Sequence, residues 1–146
     1  MKEFNAPSMW MMTPDDWTDA STYILLGPRV GGFHANIVVN LSRSVPEPDL
    51  AKHVEKHLDT LAKMQGFGLL SRQLSKDEGS RPLVILEFQW DQPQGVRLQQ
   101  RQVFMWVEGD VYCLTASAPA RQFAAVAPQF AQVLATFRPK QWPPQQ

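Results

Sequence analysis

Between Arg81 and Pro119 apolar runs alternate with short turn signals, and the rest of the chain is organised around this stretch. Leu83 to Trp90 is a run of β-branched, aromatic and leucine residues. Asp91-Gln92-Pro93-Gln94-Gly95 carries turn chemistry, and Val96 to Glu108 is long enough for a second strand. Gly109-Asp110 makes a tight turn into a third strand, Val111 to Ala116. The pattern predicts an antiparallel meander whose apolar faces need cover.

Upstream, Ser8 to Met12 and Ser21 to Leu26 are short strand candidates. The turn Thr13-Pro14-Asp15-Asp16 lies between them, with Trp17 expected to anchor that loop. Gly27 to Gly32 is expected as a loop leading to a third strand, Ala35 to Ser42. There Ile37, Val39 and Leu41 alternate with Asn36, Val38 and Asn40. In Glu47 to Gln65 the residues Leu50, Val54, Leu58 and Leu61 form one helical stripe. Pro48 fits its first turn, and Gly66 stops it as a left-handed cap. Phe67 to Ser75 is the fourth strand, ahead of the meander. A last helix lies within Arg121 to Phe137, with Pro128 expected at the first turn of its main part because proline is costly mid-helix. The sequence therefore predicts an α+β domain over residues 1–138, in the order β-β-β-α-β-β-β-β-α. Its sheet is mostly antiparallel, with the helices packed on one face. A proline-rich tail, 139–146, follows, with Trp142 placed to dock back on the domain.

Composition narrows the function. At 146 residues the chain suits one domain, and it has no need of a metal or disulfide to fold. Net charge is zero, with no basic patch for nucleic acid or an anionic membrane. The single cysteine, Cys113, fits a reducing compartment. No apolar run has signal-peptide length or approaches the ~18 residues of a membrane span. A cytoplasmic location without membrane insertion is the expectation.

Candidate chemistry is sparse. His53 and His57 are four apart, on one side of the first helix, but no third metal ligand stands near them in sequence. Cys113 falls mid-strand, where an inert thiol is expected rather than a nucleophile. Asp15-Asp16 follows Thr-Pro, so a turn accounts for the pair. Gly27, Gly31 and Gly32 lie between strands rather than before a helix, which excludes the dinucleotide pattern. No catalytic residues, no metal and no cofactor are expected.

The strand faces leave a surplus. Leu98, Gln100, Gln102, Phe104 and Trp106 share one side of the second meander strand, and Val84, Leu86, Phe88 and Trp90 share one side of the first. Their opposite sides are also partly apolar, so helices alone cannot cover everything. Asn36 and Asn40 share a strand face although Asn is disfavoured in strands. These amides are either ordinary solvent-facing groups or the polar floor of an apolar groove. A groove of that kind suits a transmembrane-type helix, whose polar positions accept partners between helices. A small apolar ligand, an enzymatic pocket on the same concave face, or a plain homodimer would also use the surplus. A bulge in the long strand would invert the face assignment.

The motifs resemble one family. They are Phe88-Gln89-Trp90, Leu98 to Phe104 with Arg101-Gln102-Val103-Phe104, Pro14-Asp15-Asp16-Trp17, Asn36 to Arg43, the helix Leu50 to Leu61 ending at Gly66-Phe67, and the Pro128 helix. Together they resemble the Eag chaperones of type VI secretion systems, in the DcrB-related group. The resemblance implies a PsbP-like fold and a cytoplasmic homodimer without enzymatic activity. It implies a partner, the N-terminal transmembrane helices of a secreted Rhs- or PAAR-type effector, shielded until loading onto the VgrG spike. It also implies that Asn36, Asn40, His57 and Gln102 line a groove, and the strand faces add Val38, Leu98, Gln100, Phe104 and Trp106 to the expected lining. Gln102 corresponds to the motif glutamine of the family. Relatives often carry Ser at the positions of Asn36 and Asn40, and Gln at that of His57.

Overall fold

The computed structural model describes residues 1–46 and 49–139. Two short strands, β1 (Lys2–Ala6) and β2 (Met9–Thr13), form an antiparallel hairpin of their own. The main sheet has six strands: β3 (Tyr23–Val30), β4 (Phe33–Ser42), β5 (Gly68–Lys76), β6 (Pro82–Asp91), β7 (Arg97–Val107) and β8 (Asp110–Pro119). Their spatial order is β3-β4-β8-β7-β6-β5, and every neighbouring pair is antiparallel. Helix α1 (Leu50–Leu61) connects β4 to β5, and α2 (Phe123–Thr136) follows β8. The seven strands and two helices expected from the sequence are present in order, preceded by β1. Lys2 to Ala6 lacks the apolar alternation that reveals a strand.

The helices do not share a face, which corrects the expectation that they would. Leu50, Val54 and Leu61 of α1 pack on Val84, Leu86, Phe88, Phe104 and Val111. Phe123, Val126 and Phe130 of α2 pack on Ala35, Ile37, Ala116 and Ala118. Strand β8 runs in unbroken register, so Val111 and Ala116 point to opposite sides. The guanidinium of Arg101, one residue from Gln102, accordingly lies over the Phe123 ring on the α2 side, 5.6 Å from its centroid. Both sheet faces carry apolar rows, and each attracts its own helix.

Local chemistry moves several boundaries. The side chain of Asp49 caps α1 by accepting from Ala51 N at 2.9 Å. The expected start at Glu47 and Pro48 lies outside the described residues. The helix ends at Leu61, four residues short of Gln65, and Gly66 then turns the chain at φ 66°. Gly27 to Val30 belongs to β3 rather than to a loop, with a bulge between Leu26 and Arg29. The turn is confined to Gly31 and Gly32, both at positive φ, as a tight hairpin requires. Pro128 sits inside a continuous α2 rather than at its first turn. Proline removes the hydrogen bond to the carbonyl four residues back, at Ala124, and both residues are exposed, so water can take that carbonyl. Trp17 is 63% exposed, so it does not anchor its loop in the core. The Trp142 expectation lies outside the described residues.

Candidate functional site: an amide and hydroxyl row beside α1

Helix α1 covers only the β6–β7 half of its face. The register lays out what remains in rows. One row runs Leu26, Asn36, Ser117, Gln100, Phe88. The next runs Ile24, Val38, Thr115, Gln102, Leu86. A third runs Asn40, Cys113, Phe104, Val84. Both long strands keep their alternation without a bulge, so Asn36, Val38, Asn40, Leu98, Gln100, Gln102, Phe104 and Trp106 all face the α1 side.

They are not equally accessible. Leu98 and Phe104 are each 2% exposed, and Trp106 packs against the α1 core. For these three the expected groove lining is corrected: Phe104 and Trp106 lie beneath the chain's own helix, and Leu98 is buried at the end of its strand. Asn36 and Val38 are half-buried and Asn40 is exposed. Next to them, Ile24 and Leu26 of edge strand β3 are 62% and 68% exposed. The exposed part of this face is thus β3 and β4, with Thr115 and Ser117 of β8 buried at its inner edge and α1 as the far wall.

Two glutamines on this face are held in the same way. The Trp90 indole Nε1 donates to Gln100 Oε1 at 2.7 Å, and Gln100 Nε2 donates to Ser117 Oγ at 2.7 Å. His57 Nε2 lies 3.1 Å from Gln102 Oε1, and Gln102 Nε2 donates to Thr115 Oγ1 at 3.1 Å. Each amide receives at its oxygen and gives at its nitrogen, so its orientation is fixed. Each amide keeps one further N–H, while the Thr115 hydroxyl also lies 3.7 Å from Cys113 Sγ. The row is rich in donors. The signal missed in the sequence was this pairing of alternate Gln on β7 with Ser and Thr on β8: Thr115 and Ser117 belong to the site and were not among its expected residues.

His57 projects from α1 with its ring edge-on to Phe104, 5.3 Å between centroids. Burial lowers its pKa below the ordinary 6.5, against an upward pull from the Gln102 hydrogen bond and with a smaller lowering from the neighbouring His53. Cys113 lies in the same surface, its thiol pushed up to about 11, chiefly by burial. That is the wrong direction for a nucleophile. Among the described residues no three His, Cys, Asp or Glu side chains gather as metal ligands, and His53 and His57 find no third. No helix of the described residues is long and apolar enough to cross a membrane. On the opposite face, a cleft of about 740 Å³ separates the β1–β2 hairpin from the sheet, lined by Met11, Trp17, Tyr23, Leu41 and Tyr112 among others.

The model of the DcrB family matches residues 10–136. The chain belongs to the DcrB family. Solved structures agree on the fold of this DcrB-family chain. A crystal structure of a Pseudomonas aeruginosa protein of unknown function, PA94, described as a putative regulator, superposes with a TM-score of 0.81 at 24% identity, covering 97% of this chain and 98% of that one. The solution structure of cyanobacterial PsbP from Synechocystis sp. PCC 6803 superposes with a TM-score of 0.55 at 11% identity, covering 88% of this chain and 97% of that one. The PsbP-like architecture expected from the sequence is therefore present in this DcrB-family chain. No curated protein sequence matches it.

Proposed function

We propose that this DcrB-family chain is a non-enzymatic chaperone that shelters transmembrane-type helices of a client. The observation that carries the reading is the clamped donor row Gln100–Ser117 and Gln102–Thr115, flanked by exposed Ile24 and Leu26 and walled by α1. An apolar helix laid there covers the apolar flank. Each large side chain so shielded contributes roughly 1.5–3 kcal/mol. The donor row meets the helix where small residues leave its carbonyls or hydroxyls open. In the Eag-type version of this function the chain acts as a cytoplasmic homodimer. Its clients are the N-terminal segments of a type VI secretion effector, Rhs- or PAAR-type, held until they are loaded onto VgrG. Asn36, Val38, Asn40, Gln100 and His57 form the accessible contact set, and the motif residue Gln102 lies buried beneath it, holding His57 and Thr115.

The test is affinity purification from the native cell, with mass spectrometry of what co-elutes. The reading expects one large partner with apolar N-terminal segments, lost when those segments are deleted. Recovery of the chain alone, with a client shown to be expressed, counts against it. A second reading, small-ligand binding, draws on the 740 Å³ cleft under the hairpin. Its volume is in the range of small-molecule sites. Uptake of a lipid or metabolite without affinity for apolar helices favours that reading.

A further inference from the structure

The two clamped glutamines differ in one respect. Gln100 is oriented by an indole, which never titrates, whereas Gln102 is oriented by an imidazole. Because Gln102 gives its nitrogen to Thr115, its oxygen faces His57, and His57 Nε2 must carry the proton that joins them. His57 also stacks edge-on against Phe104, so the ring has one seat between helix and sheet.

We propose that His57 is the positioning residue of this face: its neutral imidazole sets the Gln102 amide, and its protonation weakens the binding of an apolar helix there. The inference rests on the helix-binding reading above. Apart from the Gln102 oxygen, which favours the charged form but is outweighed by burial, the surroundings offer a cation little compensation. Strand β7 presents Gln102 and Phe104 to this side, β8 presents Cys113 and Thr115, and β6 presents Val84, Leu86, Phe88 and Trp90. Cys113 is a neutral thiol at these pH values. On β4 the same face carries Asn36, Val38 and Asn40. On β5 it carries Arg72, which is tied to Glu55 of α1 at 3.4 Å. Within α1 the charge that acts on His57 is that of His53, which is repulsive when protonated. An apolar helix laid alongside removes water from the ring and disfavours the charged form further. By linkage, a helix that binds the neutral form better must bind less well once His57 is protonated.

The experiment uses the full chain and a fluorescent peptide of ~20 Leu, Ala and Ser residues, kept in solution by an uncharged polyethylene-glycol tail. Binding is titrated at about pH 7.5 and about pH 5, a span that brackets histidine titration, for the wild type and for His57→Gln. Glutamine can still donate to Gln102 but carries no titrating group. The expected result is about tenfold weaker binding by the wild type at the lower pH, the change given by one unit of pKa displacement, and a flat profile for His57→Gln. In parallel, the side-chain amide signals of Gln102 are followed by NMR in the free chain. They move with the His57 titration in the wild type and stay fixed in the variant. The same pH profile in both proteins, or Gln102 signals indifferent to His57, overturns the inference. A peptide that binds neither protein at either pH overturns the proposed function instead, and the Gln102 signals then decide the positioning role alone.

Discussion

The indole of Trp90 on β6 donates to the Gln100 side chain on β7, and that amide then donates to Ser117 on β8, so one hydrogen-bonded chain ties three adjacent strands. Trp90→Phe keeps most of the ring and removes the donor. A neutral hydrogen bond contributes about 0.5–1.5 kcal/mol net, with more lost if the freed acceptor stays dry. Urea unfolding of Trp90→Phe is expected to show a loss of about 1–2 kcal/mol. No change would mean that water replaces the indole, and that Gln100 is less fixed than its geometry states.

Asn40 offers a cleaner test of the surface than Gln102. Gln102 is 7% exposed and holds two partners, so a charge there unsettles the fold itself. Asn40 is exposed, with its oxygen accepting from Thr22 Oγ1 at 2.7 Å. Asn40→Arg is expected to keep the thermal midpoint within a few degrees. It should weaken binding of an apolar helical peptide at least about tenfold, because a charge would face an apolar surface. Unaltered peptide affinity would move the site away from this row.

Titration of Cys113 should leave a mark on stability. Its folded-state pKa is raised from 9.0 to about 11, so the fold favours the neutral thiol. The associated stability is fully present below pH 9.0, and it is lost as pH rises through the folded value near 11. Denaturation measured across that range should show a decline that Cys113→Ala lacks. Thiol labelling at neutral pH should be slow, because the thiolate is scarce there. For His57 the sign is opposite. Its lowered pKa means that stability is complete above the ordinary 6.5 and falls as pH drops from there through the lower folded-state value.

Gly66 is the left-handed residue between α1 and β5, and its carbonyl accepts from Arg97 Nη1 at 3.1 Å. A Cβ there would collide with the Asp91 carboxylate, itself paired with Arg97 at 2.8 Å. Gly66→Ala therefore combines backbone strain, roughly 1–2 kcal/mol, with displacement of that pair. A fall in the thermal midpoint is expected, larger than for Gly95→Ala. Gly95 shares the positive φ, but nothing stands within reach of an added Cβ.

What could be read from the chain followed from how local the cause was. The β6–β7–β8 meander was legible because its turns are short and carry Pro93-Gln94-Gly95 and Gly109, although the second turn is Glu108-Gly109 rather than the expected Gly109-Asp110. Shared faces were legible too, since alternation depends only on neighbours, and Asn36, Gln100 and Gln102 stand where alternation puts them. The side each helix takes was not legible. A strand such as Val111 to Ala116 announces two apolar faces without saying which belongs to α1 and which to α2. Burial of Leu98 and Phe104 escaped for the same reason, because a residue's face does not say what lies above it. Pro128 misled because its cost depends on whether the freed carbonyl can reach water, and the sequence did not show that Ala124 is exposed.

Strand β3 ends the sheet with Tyr23, Ile24, Leu25 and Leu26 in succession, each more than half exposed, and no strand among the described residues pairs with its outer backbone. Elsewhere such a border is blunted by charge, yet the first charged residue of the strand, Arg29, comes only after the bulge. The chain as a whole carries no net charge and has a pI of about 6.8. Two molecules meeting in neutral buffer have no electrostatic reason to separate. The colloidal behaviour of the bare chain is thus itself a gauge of occupancy. Light scattering should be highest near pH 6.8, and whatever settles along β3 should announce itself first as a gain in solubility.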